Sequence, residues 1–180
     1  MSAPRTLVTA ECPEGLFTTY WDTPDRLLAH RGESLRNRKG GMWTAKHRGE
    51  MTDLVLVRPE RHYEGDGSQP PAEAMAFLEL TEHAADMLPV VRLVVERKRQ
   101  YVRAPDTSNV LLDVIDDDVK VLGSDGSLVG RFREVELEVV HPDGDRVLTL
   151  LLKRIADAGI EPAKPMSKYE RALALLVETP

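Results

Sequence analysis

Charged side chains that alternate along short strand-like segments are the residues of this sequence best suited to chemistry. Arg36 and Arg38 lie two residues apart in Leu-Arg-Asn-Arg, so both side chains leave the same face of a strand. Two guanidinium groups on one face repel each other unless an anion lies between them, and their N–H donors suit phosphate oxygens. Lys46 ends the next strand-like segment and adds a third cation across a predicted hairpin. Together these residues indicate a phosphate-binding surface.

A second strand-like segment carries carboxylates in the same alternating pattern. Glu134, Glu136 and Glu138 share one face, with no basic residue between them on that face. Holding three carboxylates together is costly unless water or a divalent cation screens them. Ligands that are all oxygen favour magnesium, manganese or calcium over zinc. The alternative is a solvent-facing strand edge whose intervening apolar residues lie in the core.

A third segment is apolar at one end and basic at the other. Arg97 and Arg99 share a face with Val95, so this face could run from the core into a charged cavity; a solvated strand end is the alternative. The acidic run 116–118 is predicted to be a solvated turn. The five histidines show no metal-type spacing and are predicted to be surface or loop residues.

Composition narrows the class of protein. The chain has 180 residues, a formal net charge of −6 and one cysteine, Cys12, which excludes an intramolecular disulfide and a thiolate zinc site. The negative charge argues against nucleic acid as a partner. No apolar run approaches the roughly 20 residues that cross a bilayer, and the first residues have no signal-peptide pattern. We therefore expect no membrane partner and a cytoplasmic location.

The order of predicted elements indicates the fold class. Seven or eight short strands follow one another in hairpin-like order, with three or four helices. This pattern predicts an α+β fold in which an antiparallel sheet of about eight strands closes toward a barrel or tunnel, in an incomplete form if a strand is missing. Helices pack outside, and a C-terminal helix lies near the mouth. Residues 1–15 are predicted to be irregular and residues 16–180 to form a single domain.

Local signals place particular elements. A Gly-Gly pair at 40–41 predicts a tight hairpin between 34–38 and 42–47. Residues 61–71 are predicted to be a loop and 72–88 a helix. Ser167 and Glu170 have the spacing of a capping box, which begins the last helix.

These segments, in this order, resemble the CYTH superfamily of triphosphate tunnel metalloenzymes. The resemblance covers most of residues 17–177 and depends on six motifs in register rather than on any one. The motifs are Thr19-Tyr20-Trp21-Asp22-Thr23-Pro24, Leu35-Arg36-Asn37-Arg38, Trp43-Thr44-Ala45-Lys46, Leu112-Asp113, Glu136-Leu137-Glu138 and Pro165-Met166-Ser167-Lys168-Tyr169.

The resemblance implies an eight-stranded antiparallel tunnel that binds a triphosphate or polyphosphate and hydrolyses it with the help of Mg²⁺ or Mn²⁺. Phosphate-binding roles are carried over to Arg36, Arg38, Lys46, Arg97, Arg99 and Lys168. Metal-binding roles are carried over to Glu136, Glu138 and Asp113. Glu136, Glu138 and Lys46 are the expected catalytic residues.

One part of the family pattern is absent from these residues. The family opens with a Glu-x-Glu-x-Lys strand, and residues 1–15 do not contain it. Three explanations stay open. Residues upstream could supply this strand, a second chain could supply it in a homodimer, or the domain has lost catalysis. A non-catalytic polyphosphate- or nucleotide-binding module is therefore the alternative to a triphosphatase.

Overall fold

A computed structural model describes residues 8–10, 14–39, 41–52, 55–105, 107, 109–123, 125–161, 163 and 166–178. In these residues the strands are β1 (Val8–Ala10), β2 (Glu14–Asp22), β3 (Ser34–Arg38), β4 (Met42–Lys46), β5 (Glu50–Thr52), β6 (Val55–Val57), β7 (Glu60–Glu64), β8 (Leu88–Arg103), β9 (Val110–Leu122) and β10 (Leu128–Val139). The helices are α1 (Leu27–Arg31), α2 (Ala72–Phe77), α3 (Gly144–Asp157) and α4 (Lys168–Glu178), with a 3-10 helix at Thr81–Asp86.

The strand order confirms the predicted α+β class. The main sheet has eight strands in the order β10-β9-β8-β2-β3-β4-β7, and β1 also pairs with β8. Strands β5 and β6 form a separate two-stranded sheet. Within the described residues the order is open, with β10 and β7 at its ends, which agrees with the incomplete form of the predicted barrel. β1 and the start of β2 fall in the segment that the sequence predicted to be irregular.

The chain forms two compact units. The larger unit comprises Leu16–Val94, Lys120–Arg131 and Pro165–Pro180, and the smaller unit comprises Met1–Gly15, Val95–Val119 and Phe132–Lys164. The prediction of a single domain over residues 16–180 stays a prediction.

In the larger unit, alternation along the strands separates an apolar face from a polar face. Trp21, Leu35 and Trp43 are buried and belong to one hydrophobic cluster with Leu28 of α1 and Met75 of α2. Residues of the opposite parity point to the other face, as strand geometry requires. Burying each large side chain of the cluster stabilises the fold by roughly 1.5–3 kcal/mol. The apolar face thus holds α1 and α2, and the polar face is left for a site.

The predicted hairpin is confirmed. β3 and β4 pair antiparallel with Arg36 opposite Thr44 and Arg38 opposite Met42. Gly41 has a φ of 91°, a backbone conformation that residues other than glycine rarely adopt. Gly40 lies outside the described residues.

Two local predictions were wrong. Part of the predicted loop 61–71 belongs to β7, because Tyr63 pairs with Trp43 of β4 and packs on the hydrophobic cluster. The predicted helix 72–88 is interrupted: α2 ends at Phe77, and Glu79 has a φ of 54°, which no helix tolerates.

The smaller unit contains β1, the adjoining parts of β8 to β10, and α3. Its buried apolar residues include Val95 of β8, Leu112 and Ile115 of β9, and Leu148 of α3. Helix α3 begins at Gly144, where a Cβ atom would lie 2.4 Å from the Leu111 carbonyl oxygen, so only glycine allows this close approach. β9 runs without interruption from Val110 to Leu122, and the predicted turn at 116–118 was therefore wrong.

Candidate functional site

The polar face of the larger unit carries a row of side chains across four strands. The pairing registers place Tyr20, Arg36, Thr44 and His62 opposite one another on β2, β3, β4 and β7. Arg36 is half-buried, and its Nε has no hydrogen-bond partner in the part of the chain that the structure describes. Arg38 lies two residues further along β3 on the same face. The expectation that Lys46 adds a third cation across the hairpin from these arginines is consistent with this register.

Lys46 forms an ion pair with Glu60, its partner across β4 and β7. The other oxygen of Glu60 lies 3.3 Å from Nε2 of His62, whose Nδ1 lies 3.2 Å from Oγ1 of Thr44. Partial burial acts to raise the pKa of Glu60, but the Lys46 ammonium, together with His62 and Arg36, lowers it below its ordinary value. Glu60 therefore keeps its negative charge among cations.

Helix α4 is anchored on this polar face. The rings of Tyr20 and Tyr169 stack with centroids 4.9 Å apart, and the Tyr169 hydroxyl donates a hydrogen bond of 2.7 Å to the buried Asp22. Burial and this hydrogen bond raise the pKa of Tyr169, so the hydroxyl keeps its proton. Lys168 is the first residue of α4, and the predicted capping box is formed by Ser167 and Glu170.

In the smaller unit, the central ion pair joins Arg97 of β8 to Asp117 of β9. Arg97 is only 9% exposed and Asp117 is fully buried. The guanidinium donates from Nε and from one terminal nitrogen to the two carboxylate oxygens, both at 2.8 Å. Burial alone would lower the pKa of Arg97, but Asp117, with Glu136 and Glu138 nearby, raises it. Arg97 is therefore a permanent buried cation rather than part of a solvated strand end.

Three carboxylates of the smaller unit converge next to this pair. Ligand oxygens of Asp117, Glu134 and Glu136 all lie within 4.8 Å of one another. Both glutamates are half-buried, whereas Val135 between them is 58% exposed. The alternative in which the glutamates face solvent and Val135 lies in the core is therefore wrong at this position. The donor set fits a hard divalent cation such as Mg²⁺ or Mn²⁺, since every ligand is a carboxylate oxygen.

The other residues of this unit named from the sequence are not members of the three-carboxylate cluster. Asp113 is buried on the same face of β9 and forms an ion pair with Arg99 at 3.2 Å. Glu138 is exposed, two residues beyond Glu136. Their proposed roles in metal and phosphate binding stay predictions.

Sequence reasoning missed two groups of residues. Asp117 was assigned to a turn, although its two-residue spacing from the buried Ile115 and Val119 places it on the inner face of one long strand. Glu60 and His62 were missed because β7 was not predicted as a strand: His62 fell in the predicted loop 61–71, and Glu60 lay just before it.

Solved structures with the same fold include two proteins described as cyclases. One is a putative adenylyl cyclase from Hippeastrum with a dominant triphosphatase activity; it is 17% identical, with a TM-score of 0.57 and coverage of 91% of this chain and 83% of that one. The other is a putative adenylate cyclase from Bacillus halodurans, 14% identical, with a TM-score of 0.58 and coverage of 93% and 96%. These likenesses establish the fold alone.

Sequence comparison defines the family. A model of the CYTH domain family matches residues 3–171, and the chain therefore belongs to that family. Uncharacterised proteins from two strains of Mycobacterium tuberculosis are 29% identical over 174 residues. That match covers 88% of this chain and 33% of theirs, so the chain spans about a third of the length of these curated relatives.

Among the helices that the structure describes, none combines the length and apolar character that a membrane crossing requires.

Proposed function

We propose that this chain is a metal-dependent hydrolase of a triphosphate, inorganic or carried by an organic group. The observation that carries the proposal is the carboxylate cluster of Asp117, Glu134 and Glu136 beside the buried cation Arg97. Carboxylates hold a hard cation and a guanidinium binds phosphate oxygens, so a metal-bound phosphate would find both kinds of partner in one unit. In the larger unit, Arg36, Arg38 and Lys46 are proposed as phosphate ligands of its own polar face.

The residues divide the work by their chemistry. A bound divalent cation would polarise a phosphoryl oxygen and orient water, and Asp117, Glu134 and Glu136 would hold it, with Glu138 and Asp113 as proposed further ligands. Arg97 stays charged at every physiological pH, and because Nε and one terminal nitrogen are paired with Asp117, it would bind phosphoryl oxygens through its other N–H donors. Arg99 of the smaller unit and Lys168 of the larger unit, both named from the family resemblance, are each proposed as phosphate ligands.

In the larger unit, Lys46 is a proposed phosphate ligand that already forms an ion pair within the protein. Its ammonium is already balanced by Glu60, so a phosphate group must take the place of that carboxylate to gain the full charge. Arg36 needs no such exchange at Nε, a buried atom that has no hydrogen-bond partner among the described residues. We therefore propose that Arg36 binds phosphate without an exchange of partners and that Arg38 and Lys46 are further phosphate ligands of this face.

Phosphate release from inorganic triphosphate tests this proposal. We expect release in Mg²⁺ or Mn²⁺ and none in EDTA. Arg36→Ala and Arg38→Ala should each weaken triphosphate binding by about 1.5–3 kcal/mol, the range for hydrogen bonds to charged groups. Arg133→Ala is the matched control, because Arg133 is an exposed arginine paired with Asp116. Absence of release together with unchanged binding in both variants would refute the proposal; binding without release would favour the non-catalytic module instead.

A further inference from the structure

We propose that His62 is a further phosphate-binding residue, whose charge sets the affinity for triphosphate, and that Glu60 is the internal carboxylate that competes with the substrate. The inference rests on the proposed function and concerns only the polar face of the larger unit. His62 has no counterpart among the cations predicted from the sequence, which assigned it to a loop.

The position of His62 makes it part of the cationic surface. Its register partner is Thr44, whose own partner on the next strand is Arg36, so the three side chains form one row. The His62 side chain is 54% exposed, which leaves its ring accessible to an anion on this face. Thr44, buried beneath it, contacts Nδ1 and orients the ring with Nε2 toward Glu60.

Glu60 occupies the place that a phosphate oxygen would take. One of its oxygens is paired with Lys46 and the other faces Nε2 of His62. The contact with Lys46 is charge-assisted, and the contact with His62 becomes so when the imidazole is protonated; a phosphate group makes contacts of the same kind. When an anion binds, it exchanges with Glu60 at Lys46 and at His62, so the carboxylate lowers the affinity for the anion.

The charge of the imidazole decides how much His62 contributes. Histidine gains its proton between pH 8 and pH 5, whereas lysine and arginine stay charged throughout. The charged groups around it are Arg36 and Arg38 from β3, Lys46 from β4, and Glu60 and Glu64 from its own strand. Glu73 of α2 belongs to a helix packed against the opposite, apolar face. A histidine at this position therefore adds a cation for triphosphate only when its imidazole is protonated.

Calorimetric titration with inorganic triphosphate in metal-free buffer tests the inference without turnover. At pH 8 we expect His62→Gln to bind as tightly as the wild type within about twofold. At pH 5.5 it should bind about fivefold more weakly, which is roughly 1 kcal/mol. Comparing the two proteins at each pH removes the effect of protonation of triphosphate itself. His83→Gln, which removes a half-exposed histidine from the 3-10 helix, should match the wild type at both pH values.

A second variant tests the role of Glu60. Glu60→Gln should bind triphosphate several-fold more tightly than the wild type at both pH values, because Lys46 and His62 no longer have a competing carboxylate. Glu73→Gln controls for the general loss of one negative charge. Equal affinities of wild type and His62→Gln at pH 5.5, or weaker binding by Glu60→Gln, would overturn the inference while leaving the proposed function intact. A wild type that binds no triphosphate at either pH would overturn both.

Discussion

At the scale of single residues, burial determines how much stability is lost when an ion pair is broken. Arg97–Asp117 and Arg133–Asp116 have nearly the same paired hydrogen bonds, at 2.8 Å and 2.7 Å. The first pair is buried, whereas the Arg133 side chain is 69% exposed. Water replaces a lost partner at the surface but not in the interior.

Neutralising each aspartate should therefore give different results. Asp117→Asn leaves a buried guanidinium without its counter-charge and should lower the free energy of unfolding by about 3–5 kcal/mol. Asp116→Asn, the neighbouring residue on the same strand, should unfold close to the wild type. Urea denaturation of the metal-free protein measures both values. Similar losses in the two variants would show that the Arg97–Asp117 pair is not buried as described.

The residue types of the site could be predicted from the sequence, but their partners could not. Alternation placed Arg36 with Arg38 and Glu134 with Glu136, because strand geometry fixes which side chains share a face. Alternation could not show that Asp117 neutralises Arg97 or that Glu60 pairs with Lys46. These pairs join residues on different strands, 20 and 14 positions apart along the chain.

At the scale of elements, Asp22 connects three parts of the larger unit. It ends β2, and its Oδ1 accepts hydrogen bonds from the backbone N–H groups of Thr23 and Leu28. Its Oδ2 accepts from the N–H of Ala29 and from the hydroxyl of Tyr169. The carboxylate thus accepts hydrogen bonds from backbone N–H groups in the first turn of α1, which have no partner within the helix. It also holds α4 through Tyr169.

Removing this carboxylate should affect both helices. Asp22→Ala should destabilise the protein by at least about 2 kcal/mol, since several buried donors lose their acceptor. Tyr169→Phe removes only the bond to α4 and keeps the ring stack, so its cost should be about 1 kcal/mol. Thermal denaturation of the two variants gives the comparison. An equal loss in both would mean that Asp22 contributes through Tyr169 alone.

Elements with strong local signals were predicted correctly, and those that depend on tertiary pairing were not. The hairpin at Gly41 and the capping box at Ser167 are encoded within a few residues. β7 has a charged sequence with no apolar alternation, so only its pairing with β4 makes it a strand. The 72–88 segment has helical composition throughout, yet Glu79 interrupts it to form a turn.

At the scale of the whole molecule, the residues of the proposed site lie within the segment that defines the family. The CYTH match spans residues 3–171, and the carboxylate cluster and the cationic row both lie within that range. The curated relatives are about three times as long, so the activity of a longer protein is not defined by this domain alone. The proposed function requires this domain to bind a divalent cation at the carboxylate cluster.

Titration with Mn²⁺ is the most direct test of that claim. We expect the wild type to bind Mn²⁺ with a rise in melting temperature, because a ligand that binds only the folded state stabilises it. Glu134→Gln and Glu136→Gln should each weaken binding at least tenfold while keeping the metal-free melting temperature. Glu138→Gln is the comparison, because the family resemblance names Glu138 as a metal ligand although it is not one of the three clustered carboxylates. Wild-type Mn²⁺ affinity in both Glu134→Gln and Glu136→Gln would contradict the account.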